Sequence, residues 1–373
     1  MTASGAQIEN HGTITGGDQA AIDGFFGVSG VTALTLTNYG SILAGANTDS
    51  SGILTSGGGN RIVNFGDITA HLDSAIEIYD NDSVGVSDGN VIVNSGSIVS
   101  YSGNAIELNN NDSDTIRNSG EIIGGVGVGG GNDVLVNSGT IEGGINFTQS
   151  FGILRNTGII IGLINMTGSQ ASVSISGTVH GRLEIGVGQD FVDLRGGKVT
   201  GEVLDFGGDD SYLIDDSTIV INDASPSGID NVNAWCDFTL TDGLETLNLL
   251  GAAIRGGGSQ LANLIFGNPQ DNILNGGFGN DTFLGGAGAD TVRGGSGLDS
   301  LRGGDDDDLL SGGGDNDALQ VKAAGIGWRA ARPLTRWTVG SAMTRCWARP
   351  ATTRLQVGGP TRRLGGWDCG AAK

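Results

Sequence analysis

The sequence predicts an all-β fold: a parallel β-solenoid (β-helix), then a parallel β-roll, then an irregular C-terminal tail. Three observations carry this. The 373 residues include 70 glycines and only 5% aromatics, one repeat is built on Asn-x-Gly, and a second repeat has a period of nine. A chain this rich in glycine cannot assemble a large core of bulky side chains. No 3.6-residue apolar pattern persists to support helices either.

The first repeat occurs seven times as [IL]-x-N-x-G-x-I: IENHGTI (8–14), LTNYGSI (36–42), IVNFGDI (62–68), IVNSGSI (92–98), IRNSGEI (116–122), LVNSGTI (135–141) and LRNTGII (154–160). The asparagines are 28, 26, 30, 24, 19 and 19 positions apart, and weaker copies follow at 173–179 and 192–199. Four longer coils share a second apolar spot in QAAI (19–22), SSGI (50–53), DSAI (73–76) and GNAI (103–106). Each coil reads as strand, bend, strand, with Asn and Gly expected to take left-handed angles at the bend. One coil cannot bury its own aliphatic residues. Stacking buries them in rows and lines the asparagines into ladders. Residues 8–200 resemble the N-x-G-x-I coils of bacterial autotransporter and adhesin-like passenger domains, which implies a rigid, adhesive solenoid. The first repeat starts at residue 8 with no cap before it, so a truncated start is expected.

From Gly258 the period is nine without a slip: GSQLANLIF, GNPQDNILN, GGFGNDTFL, GGAGADTVR, GGSGLDSLR, GGDDDDLLS and GGGDNDALQ, ending at Gln320. The glycine-rich half of each block suits a tight turn whose carbonyls converge. Asp at position six adds the hard oxygen that Ca²⁺ selects. Position eight is always apolar (Ile265, Leu274, Phe283, Val292, Leu301, Leu310, Leu319) and is expected to face inward. These blocks resemble the RTX (haemolysin-type) calcium-binding nonapeptide G-G-x-G-x-D-x-U-x. The resemblance implies that blocks two apart stack, with Asp281 over Asp299 and Asp317, and Asp290 over Asp308. It also implies calcium as the ligand. The site residues would be Asp281, Asp290, Asp299, Asp308 and Asp317, with the turn glycines Gly277, Gly279, Gly286, Gly288, Gly295, Gly297 and Gly304. Stacked carboxylates repel without a cation, so this part is expected to be largely unfolded without calcium. Two departures stand out. Asn263 and Asn272 replace Asp at position six in the first two blocks, a lead-in that binds weakly or not at all. Asp306 and Asp315 replace the fourth-position Gly in the last two, where Asp tolerates left-handed geometry.

These patterns divide the chain into a solenoid (1–206), lead-in strands (207–257), the calcium roll (258–320) and a tail (321–373). Within the bridge, GGDDSYLIDD (207–216), GIDNVNAW (228–235) and LETLNLLGAAIRG (244–256) resemble the lead-ins that precede RTX blocks. The tail has a different composition. Residues 1–320 carry 40 acids and 9 bases, whereas 321–373 carry one acid, ten bases and four of the five tryptophans. A shifted reading frame with free synonymous codons turns the tail back into Gly/Asp-rich segments in the nine-residue register. The tail is therefore expected to be a frame-shifted, non-native continuation of the array.

The acidic body repels nucleic acid and anionic membranes, and attracts cations. No apolar run is long enough to span a membrane. The N-terminal segment MTASGAQIEN shows no cleavable signal peptide, so the extracellular destination typical of RTX proteins implies type I export of the intact product. Cys236 is alone in the body, and His11, His71 and His180 are scattered, so neither a disulfide framework nor a zinc site is expected. The G-x-G-x-x-G within GVGVGG (125–130) lacks a preceding strand and following helix, and reads as a solenoid turn. No catalytic residues are assigned. Arg117 and Arg155 recur at one repeat position, and Glu77 and Glu107 at another, which predicts solvated rows. Cell-surface or extracellular polysaccharide is the expected partner of an adhesive solenoid. The alternative is a carbohydrate-active β-helix enzyme, similar to alginate epimerases or polysaccharide lyases, carrying an RTX module.

Overall fold

The computed structural model describes residues 6–17, 20–24, 33–45, 50–79, 88–147, 151–168, 170–225 and 227–321. It also describes the backbone of three short strands, Arg336–Val339, Arg354–Val357 and Arg362–Arg363. The rest of the tail expected to be frame-shifted lies outside the described residues. All regular structure described is β, and no described helix could cross a membrane. The chain forms two compact units, Met1–Gly208 and Asp209–Lys373.

In the first unit each coil lays one strand before Asn-x-Gly and others after it. Like strands of successive coils pair in parallel, as Leu36 with Ile62 and Ile92 with Ile116. Alternation along a strand turns every second residue inward. One buried row is Leu36, Ile62, Ile92, Ile116, Leu135 and Leu154; another is Ile42, Ile68, Ile98, Ile122, Ile141 and Ile160. The second apolar spot of the longer coils forms a third row through Ile22, Ile53, Ile76 and Ile106. Each such residue contributes about 1.5–3 kcal/mol by leaving water.

The asparagines form the expected ladder. Nδ2 of Asn10, Asn38, Asn64, Asn94, Asn118 and Asn137 donates to Oδ1 of the next Asn at 2.7–2.8 Å. The same Nδ2 reaches carbonyls across the bend, as Asn94 does to Gly96 and Glu121 at 3.2 and 3.0 Å. The bend itself corrects the expectation of left-handed angles. None of Gly40, Gly66, Gly96, Gly120, Gly139, Gly158 or Gly177 has positive φ. A Cβ on Gly66 would instead lie 2.0 Å from the Gly40 carbonyl oxygen, and one on Gly158 2.1 Å from that of Gly139. Glycine is needed there because coils approach closely. Beside the ladder, the rings of His11, Tyr39 and Phe65 stack at 4.9 and 5.0 Å.

In the second unit the lead-in strands Ser211–Ile214, Asn231–Ala234 and Thr246–Leu249 pair in parallel, and Thr246–Leu249 pairs with Leu264–Phe266 of the first nonapeptide. From there two sheets alternate. Thr282–Gly286 pairs with Ser300–Gly304 in one, and Thr291–Ser296 with Leu309–Gly313 in the other. All seven position-eight residues are buried.

Candidate metal centre

The residue before each strand of the roll is position six of a nonapeptide. Its side chain turns inward, so Asp281, Asp290, Asp299, Asp308 and Asp317 are only 1–4% exposed. Blocks two apart stack, as the resemblance implied. The N–H groups of Asn263, Asp281 and Asp299 donate to Oδ1 of Asp281, Asp299 and Asp317 at 2.8, 2.9 and 3.1 Å. In the other column Asn272 and Asp290 donate to Oδ1 of Asp290 and Asp308 at 2.8 and 3.0 Å. One carboxylate oxygen of each Asp is thus used by the fold. The other, Oδ2, is buried in all five without a hydrogen-bond partner.

Such an atom is costly unless something outside the protein satisfies it. Among the described residues no ion pair reaches these carboxylates, and Arg293 and Arg302 are exposed. Burial is the main cause that raises their pKa values: Asp290 to about 7, Asp281, Asp308 and Asp317 to about 6, and Asp299 upward. Neighbouring carboxylates add to the rise, and the N–H bond at Oδ1 opposes it.

The glycines fall into two classes. Gly277, Gly286, Gly295 and Gly304 at position two, and Gly279, Gly288 and Gly297 at position four, all have φ between +94° and +126°. Asp306 and Asp315 hold the same left-handed position at +74° and +61°, as expected for Asp. The first glycine of each block has ordinary φ and a different role, which the sequence reading did not assign. A Cβ on Gly276 would lie 2.0 Å from Asp281 Oδ2 and 2.4 Å from the Gly294 carbonyl oxygen. For Gly285 the neighbours are Asp290 Oδ2 and the Gly303 oxygen, both at 2.3 Å; for Gly294 they are Asp299 Oδ2 at 2.2 Å and the Gly312 oxygen at 2.4 Å. Two oxygens thus converge on a space that any larger residue would fill. The signal was present in the sequence: position one is Gly in all seven blocks, including the two lead-in blocks that lack it at positions two and four.

The lead-in blocks show what a self-sufficient turn looks like. Asn263 Oδ1 accepts from Ser259 N–H at 2.7 Å while its Nδ2 donates to the Leu244 carbonyl at 2.8 Å. Asn272 likewise accepts from Asn268 N–H at 2.8 Å and donates to Asn268 Oδ1 at 3.0 Å. Neither leaves a side-chain atom unsatisfied. The Asp blocks offer carboxylate and carbonyl oxygens, without nitrogen or sulfur donors, and that donor set fits calcium.

The charged positions that recur in the first unit differ in their surroundings. Arg117 and Arg155 are exposed. Glu77 corrects the expectation of a solvated row: it is buried, accepting from Ser51 Oγ at 2.7 Å and from the Tyr79 hydroxyl.

No curated protein and no solved structure matches the chain. The family pattern of the RTX calcium-binding nonapeptide repeat matches residues 257–292 and 284–319. Stacked at an 18-residue interval and lined by buried aspartates, residues 257–319 are RTX calcium-binding repeats.

Proposed function

We propose that this chain is an extracellular calcium-binding protein whose roll folds when calcium binds. The observation that carries the proposal is the set of five buried Oδ2 atoms without partners at Asp281, Asp290, Asp299, Asp308 and Asp317. Bound calcium supplies the positive charge and the coordination that these oxygens lack. The chain supplies the rest. Oδ1 fixes each carboxylate to the neighbouring coil, left-handed glycines shape the turn, and first-position glycines leave room between Oδ2 and the facing carbonyl. Sites flanked by both oxygens, at Gly276, Gly285 and Gly294, are the strongest.

Binding to the folded state alone stabilises it by RT ln(1 + [Ca²⁺]/Kd). Low calcium inside a cell then leaves the roll open for type I export, and high external calcium closes it. The solenoid, held by amide ladders that need no ion, serves as a constitutive rigid surface for adhesion to polysaccharide. Titrating calcium into the full chain, with magnesium as control, tests the calcium part by circular dichroism and heat of binding. Strand signal and heat that appear with calcium at roughly 10⁻⁴–10⁻³ M, the range of extracellular modules, support it. Equal signals with magnesium or with no ion refute it. Glycan-array binding without turnover of alginate or pectin supports the adhesive role, and turnover refutes it.

A further inference from the structure

The roll is not the only place where a turn stacks buried acids. In the first unit the turn 128–133 reads VGGGND and runs into the strand Asp133–Asn137. Aligned on Asp133 as position six, Gly129 and Gly131 occupy positions two and four and have positive φ, +68° and +104°. The roll's Gly277 and Gly279 hold the same positions at +101° and +94°. Leu135, at position eight, is fully buried. Asp114 occupies the equivalent place one coil earlier, and its N–H donates to Asp133 Oδ1 at 2.8 Å, the bond that Asp281 makes to Asp299.

The column changes character along the solenoid. At Asn60 and Asn90 the amides satisfy one another: Asn60 Nδ2 donates to Asn90 Oδ1 at 2.8 Å, and Asn90 Nδ2 to Asp114 Oδ1 at 2.9 Å. At Asp114 that self-sufficiency ends. Asp114 is 1% exposed, and its Oδ2 is buried without a hydrogen-bond partner. Asp112 and Asp133 beside it are also buried, and burial, reinforced by the neighbouring carboxylates, raises Asp114 to about 6 and Asp133 to about 7. Among the described residues no Lys or Arg forms an ion pair with Asp114 or Asp133. The glycines draw carbonyls in as well. A Cβ on Gly129 would sit 2.3 and 2.8 Å from the Leu108 and Asn110 carbonyl oxygens, and one on Gly131 1.8 Å from that of Asp112.

We infer that the solenoid unit carries its own site for a hard divalent cation, calcium foremost, between the turns 110–114 and 129–133, with Asp114 Oδ2 as the central ligand. The Asp112 and Asp133 carboxylates supply the remaining negative charge. Val128 stands where the roll has its first glycine, so the site is a variant of the roll's cradle rather than a copy. Asn110 Nδ2, buried with no well-formed hydrogen bond, lies beside the Asp114 carboxylate as a donor that favours its charge, and it is not among the ligands. The competing way to neutralise these acids is protonation, and the two differ in what they respond to.

Amide hydrogen exchange on the full chain separates them, comparing calcium, magnesium and chelator at pH 7.5 and pH 5. With calcium at ten times its Kd, amides in 108–137 that exchange by opening of these turns should slow about tenfold. Asp114→Asn and Asp133→Asn should each abolish that response and leave the calcium response of residues 273–320 intact. Should one variant fail to fold, the wild-type comparison and the other variant decide. Three results would each overturn the inference: indifference of 108–137 to calcium while the roll responds, protection governed by pH alone, or a calcium response that survives both substitutions.

Discussion

Removing calcium at pH 7.5 should open the roll, and acid alone should close it again. In the folded roll burial lifts the carboxyl of Asp290 from an ordinary 3.8 to about 7, and those of Asp281, Asp308 and Asp317 to about 6. Each unit of such a shift is worth about 1.4 kcal/mol. Ionisation therefore costs the calcium-free fold about 3 kcal/mol at each of the last three sites and about 4 kcal/mol at Asp290. Together these approach or exceed the roughly 5–15 kcal/mol that is the whole stability of a typical domain. The sign follows from the direction of the shifts. With folded values raised, the contribution to stability is fully present below about pH 4 and is lost as pH climbs through about 6 to 7. On the proposed function, calcium should reverse the loss by replacing the proton as partner of Oδ2. The assay is hydrogen exchange of peptides within 273–320 in the full chain, corrected for the intrinsic pH dependence of exchange. Little protection is expected in chelator at pH 7.5, substantial protection at pH 4.5, and full protection with calcium at pH 7.5. Roll amides equally protected with chelator and with calcium at pH 7.5 would refute the reasoning, as would protection that falls from pH 7.5 to pH 4.5.

Three substitutions probe other parts of the account. Gly294→Ala places a methyl 2.2 Å from Asp299 Oδ2 and 2.4 Å from the Gly312 oxygen at ordinary φ, so calorimetric calcium affinity should drop about tenfold or more; unchanged affinity would place the ion elsewhere. Asn94→Ala leaves Asn118 Oδ1 without its side-chain donor and removes one bond each from the Gly96 and Glu121 carbonyls, at about 2–4 kcal/mol of stability; a loss under about 1 kcal/mol in denaturant unfolding would mean that water replaces the ladder. Asp315→Gly relieves a non-glycine φ of +61° and a charge that raises Asp299 and Asp317, so the calcium-saturated protein should gain about 1 kcal/mol. A lower melting temperature would instead make the Asp315 carboxylate a ligand.

Much of this architecture was legible in the sequence because its two repeats obey rules that act at short range. Alternation fixed which residues of IVNFGDI and GGFGNDTFL face inward, and a kept period fixed which residues stack. The glycines were harder to read. A glycine can answer a left-handed φ or a close approach, and sequence alone does not separate them. The Asn-x-Gly glycines were assigned the first reason and have the second; the first glycines of the nonapeptides were not assigned at all. Asp114 and Asp133 stayed hidden for another reason. They recur at 19 residues rather than nine, so their turn does not register as a nonapeptide, although GGGNDVL (129–135) and GFGNDTF (277–283) agree at both left-handed glycines, the Asn and the Asp.

The two ladders then differ by one chemical choice at equivalent places. An asparagine column closes on itself: each amide both donates and accepts, so Asn10 to Asn156 needs nothing from solution. An aspartate column can only accept. Stacking it uses one oxygen and strands the other in a space shaped by glycine, so the coil is complete only with a proton or a cation. On the proposed function, replacing Asn263 and Asn272 by Asp281 and Asp290 one coil later should convert unconditional folding into folding that reports on calcium. The position before the strand, more than the fold around it, decides which parts of this chain stand alone and which wait for an ion.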